Sequence, residues 1–199
     1  CTDDVDWSVF DVNPPYGEVD MLWFVHAGKD GQTSPEDSLL RRPLWSITSK
    51  LRSDPGYPLP SAFLTNQPVA GSPSQFYKLD RFACLPEISG LIPGGRAEIG
   101  VYCHEFGHAL GLPDLYDTST LGSIANVGPG NWSLMSTGGY GGSGLTPETP
   151  SHLGGWATTY LGWNEILRPS RDTTIVLPPI SSGGPVVEVW FQGESNPQD

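Results

Sequence analysis

HEFGHALGLPD, residues 104–114, sets two histidines four apart, a glutamate after the first and an aspartate six after the second. It closes a longer stretch, RAEIGVYCHEFGHALG at 96–111, whose spacing predicts a helix. At roughly 100° per residue, Ile99, Tyr102, Phe106, Ala109 and Leu110 share one face, and His104 and His108 fall opposite it, about 40° apart. Histidines at i and i+4 project from one side of a helix, so both imidazoles can reach one zinc at about 2.0–2.1 Å. Glu105 lies beside that metal, where it can hold a water and accept its proton. Gly100, Gly107 and Gly111 form a stripe next to the histidines. Each weakens a helix by up to about 1 kcal/mol, so a close approach by another backbone segment is expected there.

Gly111 stands where the helix must end, because glycine takes the positive φ that turns the chain back. Pro113 stiffens the return. Asp114 then arrives at the interval of the third ligand in HExxHxxGxxH zinc proteases, and a carboxylate is an acceptable zinc ligand. The same residues, Pro-Asp-Leu-Tyr-Asp, also read as a turn in which Asp114 only bonds backbone. Asp117 could orient a ligating histidine through a hydrogen bond, or cap the next turn.

Outward from this helix, MLWFVHAG (21–28) reads as a buried strand and SQFYKLDRFACL (74–85) as another. The latter, an edge strand, is the candidate for pairing with an extended substrate. SPEDSLLRR (34–42) carries helix-start signals, Ser34 before Pro35 with acids in the first turn, and a second short helix is expected over 44–51. Residues 54–73 hold five prolines and no periodicity, and read as loop. NVGPGNWSLMSTGGYGGSGL (126–145) is a glycine-dense loop, and TPSHLGGWATTYLGW (149–163) a second helix capped by Thr149. Val186 to Phe191 reads as a strand. His26 and His152 are expected to be hydrogen-bonded structural residues.

The chain has 199 residues, enough for one domain with a sizeable core, or one domain and a fragment of another. Ten Lys+Arg against 22 Asp+Glu leave a net charge of −12, a surface that repels phosphate backbones, so nucleic-acid binding is not expected. No apolar run approaches the roughly 20 residues that span a bilayer. The start at CTDDVDW, with neither initiator Met nor signal peptide, reads as a piece processed from a longer precursor. Of three cysteines, Cys84 and Cys103 are expected to form a disulfide between a strand and the histidine-bearing helix, leaving Cys1; two buried thiols are the alternative.

HEFGHALGLPDLYD, then NWSLMSTGGYGG, then SHLGGWATTYLGW, with YGEVDMLWFVHAG upstream, together resemble the M6 family of zinc metallopeptidases, the immune inhibitor A type. The resemblance covers about residues 10–192 and is densest from 98 to 163. It implies His104, His108 and Asp114 as zinc ligands, Glu105 as catalytic base, and Met135 in a methionine turn beneath the metal. It also implies secretion, a latent precursor with a prosegment and further domains, and calcium alongside zinc. The family's calcium loop often reads D-x-D-x-D-G-x-x-D. Here it reads Asp11-Val-Asn13-Pro-Pro15-Tyr-Gly17-Glu18-Val-Asp20, with prolines at ligand and turn positions. Asp11, Asn13, Glu18 and Asp20 could still bind calcium through oxygen atoms, or form a solvated acidic turn.

The expected fold is a zincin-like α/β domain over residues 1–170, a mixed sheet with an active-site helix and a Met-turn. A following β-rich segment would begin at 171–199. The expected function is a secreted zinc endopeptidase acting on a protein or peptide substrate, with Glu105 taking the proton of the attacking water and delivering it to the leaving amine. Tyr140 could stabilise the oxyanion, or stand as a rim aromatic. The alternative is a catalytically inactive zinc- or calcium-stabilised binding or adhesion domain.

Overall fold

The computed structural model describes residues 4–12, 14, 16–31, 44–51, 62–118 and 126–189. Cys1, Asn13, the expected helix at 34–42 and the end of the strand at 186–191 lie outside the described residues. Two compact units divide after Ala109.

The first unit is built on a three-stranded sheet of order β1-β5-β2, with β1 Leu22–Lys29, β2 Ile47–Lys50 and β5 Arg81–Ile88. β5 is central, parallel to β1 and antiparallel to β2, so the sheet is mixed as expected. Cross-strand register sorts the side chains. Trp23, Ala83 and Thr48 form one row, and Phe24, Cys84 and Ile47 the next, on the opposite face. Helix α1, Ile99–Ala109, covers the first face: Tyr102 stacks on Trp23 with ring centroids 5.9 Å apart, and Phe106 meets the same indole at 6.1 Å. β3 (Phe63–Val69) and β4 (Ser72–Leu79) form a hairpin turned at Gly71, whose φ of 77° suits only glycine without strain. Trp7, Val19, Tyr77 and Leu79 are buried together on it, with Val5, Leu22 and Val69 packed alongside.

Several expectations fail here for identifiable reasons. The run at 74–85 is two strands, β4 and β5, interrupted at the buried Asp80. Its second half is the central strand with a neighbour on either side, so it is not an edge open to substrate. Among the described residues β1 is at the edge of the sheet, and Phe24 and Val25 are half exposed where a buried strand was expected. The short helix expected at 44–51 is the strand β2, because Ile47, Thr48 and Ser49 alternate faces against β5. The loop expected at 54–73 contains β3; Pro68 sits at a register irregularity, where a missing amide hydrogen is tolerated. Cys84 and Cys103 are free thiols. The pleat explains it: Cys84 shares a row with Phe24 and Ile47, on the face away from α1, which carries Cys103.

The second unit is mostly loop held by backbone hydrogen bonds. Two 3-10 turns, Gly130–Trp132 and Thr137–Tyr140, precede helix α2, Gly155–Tyr160. α2 is far shorter than the 149–163 expected. Ser151 N–H donates to the Gly138 carbonyl at 2.8 Å and the His152 carbonyl accepts from Leu134 N–H at 2.9 Å, so these backbone groups serve a neighbouring loop instead of a helix. β6 (Ile166–Leu167) and β7 (Val186–Val187) pair in parallel. Leu112, Leu134, Met135, Leu153 and Ala157 are buried.

Candidate metal centre

α1 begins where a turn is fastened. Ser89 is buried; its hydroxyl donates to Glu98 Oε1 at 2.6 Å and accepts from the amides of Leu91 and Ile92. Ala97 N–H donates to the Glu87 carbonyl. The helix stops after Ala109, and Gly111 takes φ 93°, the expected terminator. Gly100 and Gly107 are buried, but Gly111 is exposed with open space where a side chain would stand, so the close approach expected along the stripe does not reach it; Ile99 and Phe106 remain half exposed.

Side-chain hydrogen bonds fasten α1 to the sheet. Tyr102 hydroxyl donates to the Pro86 carbonyl at 2.5 Å, Thr48 hydroxyl to the Glu105 carbonyl at 3.0 Å, and Arg81 Nη1 to the Ala109 carbonyl at 2.8 Å. Burial, reinforced by the charge of Glu87, pushes the Tyr102 hydroxyl above its ordinary pKa, so it remains a donor through the neutral range. Thr48 and Arg81 were not singled out from sequence, where 44–51 reads as helix.

On the side of α1 that carries the histidines, the His104 and His108 rings stand edge to face, centroids 4.9 Å apart at 89°. One nitrogen from each and a carboxylate oxygen of Glu105 all lie within 4.8 Å of one another. This is the single such group among the described residues. Both imidazoles are half buried and Glu105 is 3% exposed. Two nitrogen donors on one tetrahedral zinc stand about 3.3 Å apart, within reach of these rings by side-chain rotation. The donor set therefore fits a divalent metal.

Asp114 follows in the coil after Gly111, half buried, at the start of the second unit. Its neighbours are anchored: Leu115 N–H donates to the Met135 carbonyl at 2.7 Å and Asp117 N–H to the Asn126 carbonyl at 2.9 Å. Met135 is fully buried. Tyr140 ends its 3-10 turn half buried, and its carbonyl accepts from Thr146 N–H, so the glycine-rich stretch around it is a fastened structure, not the free loop its composition predicts. His152 is exposed and contributes its carbonyl; His26 lies on β1 with Nε2 buried and no hydrogen-bond partner among the described residues, contrary to the bonded role expected for it.

The acidic loop gathers no comparable group among the described residues. Asp11, buried, accepts Gly17 N–H on Oδ2 at 2.7 Å; Asp20 accepts Val12 N–H at 3.4 Å; Glu18 bridges to Lys78 in the backbone. No helix among the described residues is long and apolar enough to cross a membrane.

A helix presenting two histidines and a buried glutamate to one point forms a group that could hold a metal ion. The comparisons carry this to a family. Residues 4–165 match the family described as immune inhibitor A peptidase M6, catalytic domain, and the chain belongs to that family. It is 35% identical over 139 residues to Immune inhibitor A of Bacillus thuringiensis subsp. alesti, covering 69% of this chain and 18% of that protein. It is 42% identical over 65 residues to the Pre-pro-metalloprotease PrtV of Vibrio cholerae serotype O1, covering 33% of this chain and 7% of that protein. The chain thus spans under a fifth of the length of these relatives.

Proposed function

We propose that this chain is the catalytic domain of a zinc-dependent endopeptidase. The observation that carries the reading is the convergence of His104, Glu105 and His108 on one helix face, in a member of the M6 peptidase family. His104 and His108 would hold the metal, and Asp114 would be the third ligand. The metal, when bound, would supply a Lewis acid that polarises the scissile carbonyl and acidifies water. Glu105 takes a proton from the attacking water and returns it to the leaving amine. Its burial holds the carboxylate away from bulk solvent, so the proton it accepts is passed within the site. Tyr140 would donate its hydroxyl to the developing oxyanion, and Met135 would form the floor of a zincin-like site. Two imidazoles with a carboxylate leave one positive charge fewer than three imidazoles, so water in this site should be less acidified than in a three-histidine one.

Secretion, a prosegment and further domains belong to the same proposal, as does a catalytic domain that ends near residue 170. The term pre-pro in the name of the Vibrio relative supports latency. Calcium at the acidic loop is favoured by one observation: Asp11 Oδ1 is buried with no hydrogen-bond partner among the described residues. Elemental analysis of the purified chain, with casein cleavage measured with and without a zinc chelator, tests the main reading. Absence of zinc, or cleavage indifferent to the chelator, defeats it. A melting temperature unmoved by calcium defeats the second metal.

A further inference from the structure

The geometry points to Thr48 and Arg81 as positioning residues that set the rotation and axial position of the histidine-bearing turn. This rests on the reading above, that His104 and His108 hold the metal. The two side chains reach α1 at carbonyls four residues apart, Glu105 and Ala109. One helical turn separates those carbonyls, a rise of about 5.4–6 Å. The donors are matched to it. Thr48 pairs with Ala83, and Arg81 pairs with Lys50, so along the β2–β5 ladder Thr48 and Arg81 stand two residues apart on one face. Two residues of strand advance about 6.8 Å, close to one helical turn.

Each contact sits next to a metal-binding side chain. The Glu105 carbonyl follows His104 by one residue, and the Ala109 carbonyl follows His108 by one. The Ala109 carbonyl is one of the last four of the helix, which have no intrahelical partner, so Arg81 both satisfies it and places a cation at the negative end of the helix dipole. The Glu105 carbonyl lies within the helix and takes Thr48 as an additional donor. Ala83, with no exposed surface, stands directly across from Thr48 and two residues from Arg81 on the same face, and is small enough for the helix to lie close. Trp23, in the same row, braces the helix through Tyr102 and Phe106. Turning α1 about its axis, or sliding it along the sheet, breaks both hydrogen bonds together. The imidazoles lie on the side of α1 opposite its packing face; their spacing comes from the helix itself, and the direction in which that side faces depends on that rotation. A rigid strand pair therefore supplies the preorganisation that metal ligands require.

The test compares Thr48→Val with Thr48→Ser and Arg81→Met with Arg81→Lys. Zinc affinity is read by competition with a chromophoric chelator, and ligand-field geometry by the visible spectrum of the cobalt-loaded protein. Thr48→Val and Arg81→Met should each lower zinc affinity about 10-fold and alter the cobalt spectrum. Thr48→Ser and Arg81→Lys, which keep a donor, should restore both. Wild-type affinity and spectrum in Thr48→Val and Arg81→Met overturn the inference while leaving the metal centre standing. Equal losses in the conservative and non-conservative variants overturn it too, since they report packing rather than a hydrogen bond. A wild-type chain that binds no zinc removes the metal centre, and this inference with it.

Discussion

Thr48, on the strand antiparallel to the centre of the sheet, donates its hydroxyl to the main-chain carbonyl of Glu105, the residue proposed as general base. The base is thus held twice: as part of a helix, and by a strand packed beneath it. Its carboxylate remains on the side of the imidazoles, where it approaches both within 4.8 Å.

Glu105→Gln keeps the size and the hydrogen-bonding shape of that side chain and removes only its ability to take a proton. Zinc content and melting temperature should stay near wild type, while kcat/KM for a peptide falls by about 100- to 10,000-fold. Near wild-type cleavage by this variant would show that another group moves the proton.

Asp114→Ala should weaken zinc binding, and Asp117→Ala should weaken it far less, because Asp114 and not Asp117 stands at the interval of a third ligand after the two histidines. Zinc titration of the two proteins decides. A larger loss from Asp117 would reassign the ligand.

Both thiols are half buried, and burial pushes Cys84 and Cys103 above the ordinary thiol range. The thiolate is the reactive form, so a raised pKa delays reaction. Alkylation of both in the native protein should be slow near neutral pH and rise only above the pH at which an exposed cysteine reacts. Peptide mapping of the unreduced protein after iodoacetamide treatment at increasing pH checks this. Recovery of a Cys84–Cys103 disulfide peptide would contradict the free thiols and the opposed sheet faces.

Tyr102 has its pKa raised on folding, by burial first and Glu87 second. Such a group contributes stability that is fully present below its unfolded pKa and is lost as pH rises through the folded value. The protein should therefore weaken in the strongly alkaline range as the bond to the Pro86 carbonyl is lost, and Tyr102→Phe should be less affected over the same range. Thermal melts across alkaline pH, set beside an ultraviolet tyrosinate titration, make the comparison. Identical alkaline profiles for the two proteins would remove Tyr102 from the account.

Gly138 is packed against the Ser133 carbonyl, and an added Cβ would run into that oxygen. Gly138→Ala should cost about 1–3 kcal/mol by overpacking, because the carbonyl also accepts the amides of Ser136 and Gly138 and cannot easily move. Gly142→Ala, with open space at that position, is the control. Equal denaturant midpoints for the two variants would show that the turn yields.

Local pattern was enough to predict a helix within 96–111, which forms at Ile99–Ala109, its termination by Gly111 and the shared side of His104, Glu105 and His108. All three follow from helical period and glycine's access to positive φ, which depend on neighbours a few residues away. What only tertiary structure decided was pairing. Residues 47–50, expected within a helix, became a strand because β5 lay beside them, and 74–85 split because its halves join different sheets. The free thiols have the same origin: two cysteines nineteen residues apart fall on opposite sides of a sheet only once the register of Cys84 with Phe24 and Ile47 is set. Thr48 and Arg81 became legible as supports for α1 on that same account. Strand pairing is a contact between distant segments, selected by which faces can be buried together, and its free energy appears in no single stretch of the chain.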